Sequence, residues 1–312
     1  MTQQKSLSPR DWGLMFLLAL IWGGTFPSVR VALFELTPLT AVLHRTFWAA
    51  LALWVLALVT RQKLPRNPGT WAAFLVMGLI NNAIPFSLQA WGQLHIESGL
   101  AAILNASTAI FGVLVAALVF ADERLTTRKL AGVVLGFLGV ATTVGLSNLM
   151  ALDLHSLAQL AVIAGTVSYA FAGAFARTYL GGLSPIVAAA GMLTGATIWM
   201  LPIAITADGL PSFDLQPQTW AAVSYYALIA TAGAFLLYYR ILSSAGSGNL
   251  LIVTLLVAPV SIVIGAVGLD EELAPRAFAG FAILAVGLLT LNGTLFRGAL
   301  LRRLRHPAID PR

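Results

Sequence analysis

The residues best placed to do chemistry lie where a soluble protein would not put them. From Trp71 to Gln93 a run apolar enough to span a bilayer carries Asn81, Asn82, Gln89 and Gln93. Amides in hydrocarbon must find partners or line a wet cavity. On an α-helix, Asn82, Phe86, Gln89 and Gln93 fall at spacings of four, three and four, which puts them on one face. The chemistry open to such a stripe is recognition: neutral amides hydrogen-bond a polar group while Phe86 and Trp91 supply apolar contact. Amides also serve as glue between membrane helices, but four of them with two aromatics on one helix favour a cavity wall. Pro85 strengthens the expectation, because its missing N–H frees the carbonyl one turn back, at Asn81, for a substrate ammonium group.

The stripe has a counterpart. Thr70-Trp71-Ala72-Ala73 recurs as Thr219-Trp220-Ala221-Ala222, and the same offset pairs Asn82 with Thr231, Phe86 with Phe235 and Gln89 with Tyr238. Trp22 pairs with Tyr169, Thr37-Pro38 with Ser184-Pro185, Ser98-Gly99 with Ser247-Gly248, Asn105 with Thr254, and Glu123 with Glu272. The chain is therefore expected to be two repeats, 1–150 and 151–312, the second ending in a basic tail.

The elements that must position these residues are membrane helices. Of 312 residues 59% are hydrophobic and 10% charged, with a mean hydropathy of +0.88. That composition belongs to a polytopic membrane protein. The net charge of +6 would point to nucleic acid in a soluble protein, but here the basic residues sit between apolar segments, so no nucleic-acid partner is expected. The absence of cysteine excludes disulfides, thiol catalysis and cysteine metal sites. Ten apolar segments are expected at 12–33, 38–60, 71–94, 98–120, 128–146, 157–179, 185–206, 220–242, 248–269 and 276–296. The first is too long and bulky for a signal peptide and reads as a membrane helix.

Lysine and arginine orient the chain. With a cytoplasmic N-terminus, the inner segments hold Lys5, Arg10, Arg61, Lys63, Arg66, Arg124, Arg128, Lys129, Arg177, Arg240 and the tail arginines, whereas the outer loops hold Arg276 alone. Both termini are expected in the cytoplasm. Five helices per repeat is an odd number, so the second half should enter the membrane inverted, as in secondary transporters whose site lies between halves near the midplane. At about 1.5 Å per residue, roughly ten residues reach the middle of a ~30 Å core. Trp22, Asn82, Tyr169 and Thr231 lie at about that depth in their helices.

The expected substrate-binding residues are Trp22, Asn81, Asn82, Phe86, Gln89, Trp91, Asn105, Tyr169, Thr231, Phe235 and Tyr238. Tyr225, Tyr226 and Tyr239 read more as interface anchors. His44 and Arg45 open the second helix from the outer side, where a charge can snorkel, so they read as structural or gating residues. Glu123 and Glu272 read as helix caps or loop ion pairs. Every Asp and Glu lies at a segment end, in a loop or in a tail, so the usual carboxylate for proton or sodium coupling is missing, which favours facilitated diffusion or coupling through the substrate's own charge. No HExxH, Walker A or GxSxG sequence is present, so no catalytic residue, cofactor or metal is expected.

With these features in hand, the chain resembles the drug/metabolite transporter superfamily in its ten-helix EamA branch. The matching features are the two five-helix halves, Trp22-Gly23-Gly24-Thr25-Phe26, Ala-Asp-Glu-Arg at 121–124, Asp-Glu-Glu-Leu at 270–273, and the Ala131-Gly132 and Ala279-Gly280 helix openings. Pro259 matches a proline of that branch, whereas position 110 is Ile where the family often has a second. The glutamate that four-helix multidrug relatives carry in their first helix is absent. The resemblance implies an all-α protein, ten helices as two inverted five-helix repeats around a central cavity, with the fifth and tenth helices peripheral. It also implies a multi-pass protein of the inner or plasma membrane, in contact with lipid and functional as a monomer. Within the branch the chain looks most like exporters of aromatic amino acids, implying neutral or aromatic amino acids as substrates. Other metabolites, such as nucleotide sugars, phosphorylated sugars or lipophilic cations, are the alternative.

Overall fold

The computed structural model describes residues 9–121, 125–145, 154–245 and 247–292. Lys5, Glu123 and Arg124, the junction of the two repeats at 150/151, and the tail arginines beyond 296 lie outside the described residues. Every regular element among the described residues is helical. Eight helices are long and apolar enough to cross a membrane: α1 Pro9–Ala32, α2 Pro38–Val59, α3 Pro68–Gly92, α4 Ser98–Val119, α5 Thr127–Val144, α6 Leu154–Tyr179, α7 Pro185–Asp208 and α8 Pro217–Tyr238. Two more apolar helices follow, α9 Ser247–Leu269 and α10 Pro275–Asn292.

The starts follow from local chemistry. Thr37 and Asn67 each precede a proline at the first helical position, and their side chains accept from Thr40 N and Gly69 N. Ser98 opens α4 and Ser247 opens α9, as the repeat requires. Large apolar side chains project outward along the helices, Leu118 at 85% exposure and Val267 at 82% among them. In water so much exposed apolar surface would be a liability; in a bilayer it is the lipid face.

The strongest helix contacts map onto themselves when the halves are exchanged. The α1–α9 contact has its counterpart in α6–α4, α3–α6 in α8–α1, and α3–α7 in α8–α2, while α2–α7, α4–α9 and α5–α10 are each their own counterpart. The α5–α10 seam depends on glycine. A Cβ on Gly139 would meet Leu284 backbone and the Gly280 carbonyl at 2.8 Å, and Gly280 in turn abuts Gly139 and Thr143. Backbones that approach this closely gain dispersion contact that needs no hydrophobic effect, the usual means of packing in lipid.

Two helices depart from α geometry at matching places. Leu79–Ala83 in α3 and Tyr225–Gly233 in α8 are π-helical. In α3 the Ile84 N–H bonds back to the Leu79 carbonyl, five residues earlier. The carbonyl left without an N–H by Pro85 is therefore one residue further back than α-helical counting gives. It is that of Ile80, which accepts the Ser168 hydroxyl of α6 at 2.6 Å. The expectation that Pro85 frees the Asn81 carbonyl for a ligand is corrected: the π turn shifts the register and a neighbouring serine satisfies the group.

Candidate substrate cavity

The site is built where α2, α3, α6 and α8 meet. Phe86 and Gln89 follow the π turn on α3 and face inward. Tyr169 of α6 meets Phe86 edge-on, with ring centroids 6.4 Å apart. The Gln89 side chain donates through Nε2 to Asn105 Oδ1 of α4 at 2.7 Å. Across from them, the Arg45 guanidinium of α2 lies 3.7 Å from the centre of the Phe86 ring, and its Nε donates to Thr231 Oγ1 at 3.0 Å. The Thr231 hydroxyl passes the chain on to the Tyr226 carbonyl at 2.7 Å, a five-residue step that the π segment of α8 makes possible.

The Phe86–Tyr169 pair separates two spaces. On one side is a narrow cavity of about 20 Å³, lined by residues including Arg45, Phe86, Gln89, Gln93 and Tyr226. It holds roughly one water. On the other side is a larger space of about 200 Å³ between α4 and α6, running from Tyr169 past Thr108, Gly112 and Gly173 to Phe120 and Arg177. Small residues make this room: a Cβ on Gly112 or Gly173 would meet nothing within 4 Å. The far end carries Arg177 stacked over Phe120 at 4.2 Å.

Beyond the smaller cavity the helix ends are tied together. The Glu271 carboxylate accepts Ser98 N at 2.9 and 3.0 Å and Ser98 Oγ at 2.6 Å, heading α4. Asp208 of α7 accepts the hydroxyls of Thr37 and Thr40 on α2. Arg30 donates to the Gln93 carbonyl, and Glu35 accepts from Gln216 N at the start of α8. These links all lie at the ends of α1, α3, α7 and α9 and the starts of α2, α4, α8 and α10.

The sequence-derived set is therefore divided. Phe86, Gln89, Asn105, Tyr169 and Thr231 come together around Arg45. Trp22 pairs with Tyr238 at 5.9 Å, and both pack with Trp91 against the core shared by α1, α4 and α9. Phe235 packs into a different cluster with α2, α3 and α7. Asn81 reaches Met192 Sδ at 3.7 Å, and Asn82 is fully buried with its Nδ2 unpartnered. Phe86, Gln89 and Gln93 share one face and line the smaller cavity, but Asn82 does not. The π turn carries Asn82 off that face.

Three readings change. Tyr225 and Tyr226 are not interface anchors: the Tyr225 hydroxyl donates to the Ile21 carbonyl beside Gly24, and fully buried Tyr226 donates to the Ala41 carbonyl. The cap at the head of α4 is Glu271, not Glu272, which is exposed. Arg45 does not snorkel outward but turns to the cavity. Depth was the available signal. Arg45 lies seven residues beyond Pro38, about 10 Å into the helix, further than an interface position. His44, its neighbour, keeps a structural place, accepting from Trp48 Nε1 at 3.1 Å and edging onto Trp220.

A model of the EamA-like transporter family matches residues 12–145 and again 156–293. The chain belongs to the EamA-like transporter family. The double match is the two-repeat organisation seen in the helix contacts. Relatives of this EamA-like transporter include a probable terminal-alkyne amino-acid exporter of Streptantibioticus cattleyicolor, 28% identical, with 92% of this chain and 94% of that protein covered. A probable amino-acid metabolite efflux pump of Escherichia coli is 24% identical, with 90% and 94% covered. A solved crystal structure superposes with a TM-score of 0.66 at 16% identity, covering 92% of this chain and 98% of that one, and shares the fold. The chain is a multi-pass membrane transporter.

Proposed function

We propose that this transporter exports neutral and aromatic amino acids from the cytoplasm by alternating access. The observation that carries the reading is the aromatic septum of Phe86 and Tyr169 between a roomy space and a nearly closed one, with the Gln89–Asn105 pair beside it. An aromatic barrier with neutral hydrogen-bonding groups fits a small zwitterion whose side chain is apolar. The relatives from Streptantibioticus and Escherichia are named for export of an amino acid and of amino-acid metabolites, which supports the amino-acid part of the reading.

In this reading α1 to α10 are ten membrane helices, the halves are inserted with opposite orientation, and both ends of the chain are cytoplasmic. The larger space then opens to the cytoplasm, and the ties at Glu271, Asp208 and Arg30 close the outer face. Substrate enters beside Arg177, reaches Tyr169, and passes when the septum and the outer ties part. Trp22, Tyr238, Trp91, Phe235, Asn81 and Asn82 pack outside both spaces in the present state, and in this reading they come to line the path as the halves move. The lack of a mid-membrane carboxylate favours facilitated diffusion. Uptake of labelled tryptophan into liposomes, with and without an imposed pH gradient, tests the reading. Saturable uptake indifferent to the gradient supports it; uphill uptake driven by the gradient overturns the facilitator mechanism.

A further inference from the structure

Among the described residues Arg45 has no carboxylate partner. Its Nε is held by Thr231 and its face lies on Phe86, and its other N–H groups have no partner among the described residues. The groups around it, Thr231, Phe86, Gln89, Gln93 and Tyr226, are all neutral. The pseudo-symmetry sharpens the point. By the offset that aligns Thr37-Pro38 with Ser184-Pro185, the equivalent of Arg45 on α7 is Met192. Arg45 faces Thr231, and Met192 faces Asn81 beside the Thr231 equivalent, Asn82. Packing alone is satisfied by methionine at this position, so the half that carries arginine pays desolvation of a cation that the fold does not require.

A second orphan faces the same cavity. Gln93 is 2% exposed, lines the space with Arg45, and leaves its Oε1 without a hydrogen-bond partner. Forked cationic donors beside an unpaired neutral acceptor match a carboxylate next to an ammonium group.

We propose that Arg45 anchors the substrate carboxylate, with Gln93 Oε1 accepting from the ammonium group, an inference that rests on the amino-acid reading above and deepens it. The carboxylate is the obligatory element, since among the described residues lining the site the one charge, Arg45, is positive. The ammonium meets a neutral acceptor and is dispensable. Aromatic acids without an amine are therefore ligands, and amines without a carboxylate are repelled. In the present state the carboxylate subsite is closed to water size behind Phe86 and Tyr169, so substrate engages Arg45 only as Phe86 leaves the guanidinium, coupling recognition to opening of the septum.

The test is ligand protection of the purified full-length protein against heat, with tryptophan, indole-3-propionate and tryptamine as probes. Wild-type protein is expected to be protected by the two carboxylates at concentrations about 30-fold below tryptamine, the low end for losing one partner of a buried charged pair. Arg45→Gln should bring that ratio close to one, and Arg45→Lys should keep part of it. A merely structural arginine would lower the melting point without moving the ratio. If Arg45→Gln does not fold, the wild-type series and Arg45→Lys still decide. Equal protection by tryptamine and tryptophan, or a carboxylate preference that survives Arg45→Gln, overturns the anchor. Arg45-dependent protection by indole-3-propionate with none by tryptophan upholds the anchor and removes the amino-acid reading. No protection by any of the three overturns both.

Discussion

Breaking the Glu271 cap should open the outer face, and the size of the effect follows from its bonds. Glu271 precedes α10 in the second half, while Ser98 heads α4 in the first. Any parting of the halves on that side must break this contact. The carboxylate takes the Ser98 N–H and O–H and lies at the head of a helix. Charge-assisted bonds contribute about 1.5–3 kcal/mol each when sheltered, and a helix N-terminus adds about 0.3–1 kcal/mol for an anion. Glu271 is only half-buried, so water competes and the total is discounted to about 2 kcal/mol. If the open state lacks the contact, Glu271→Ala shifts the equilibrium toward it by about 30-fold. The chain has no cysteine, so one introduced thiol reports alone. Ala90→Cys places it in the smaller cavity, at a position 2% exposed. With a membrane-impermeant maleimide added outside, its labelling rate should rise about 30-fold when Glu271→Ala is added. An unchanged rate in folded double mutant refutes the latch. A rise seen only with reagent on the inner side would show that the contact closes the other face.

Other expectations follow from the same geometry. Gly139→Ala should lower the melting temperature in detergent, by overpacking worth about 1–3 kcal/mol, because its Cβ has no room against Leu284 and Gly280; an unchanged melting point would mean that the α5–α10 seam yields freely. Asn82→Ala removes a fully buried Nδ2 that has no partner, so stability should hold or rise while transport falls; lost stability with normal transport would make Asn82 purely structural. Trp22→Ala should impair transport with folded yield intact, and normal transport would take the Trp22–Tyr238 pair out of the path.

Much of this arrangement was legible in the residues. Hydropathy alone located the helices to within a few residues, because a span needs about 20 apolar residues whatever its neighbours. The repeat was legible because the same starts recur, Ser98-Gly99 and Ser247-Gly248 above all. The faces were harder. Reading Asn82 with Phe86 assumes 3.6 residues per turn, and a π turn at Leu79–Ala83 breaks the assumption without leaving a mark in composition. The same turn moved the freed carbonyl from Asn81 to Ile80. Arg45 was misread because snorkelling is the common fate of a charge near a helix end, and only its tertiary partners Phe86 and Thr231 show which way it turns. The choice between Glu271 and Glu272 depends on a half-turn of loop that adjacent glutamates cannot resolve.

The most direct test of amino-acid transport is counterflow. Liposomes holding the purified protein are loaded with unlabelled tryptophan, diluted into a trace of labelled tryptophan, and followed for internal label. The account predicts a transient overshoot that other neutral amino acids suppress and that protein-free liposomes lack. Label that never exceeds the protein-free control, from protein shown to be folded, would contradict it.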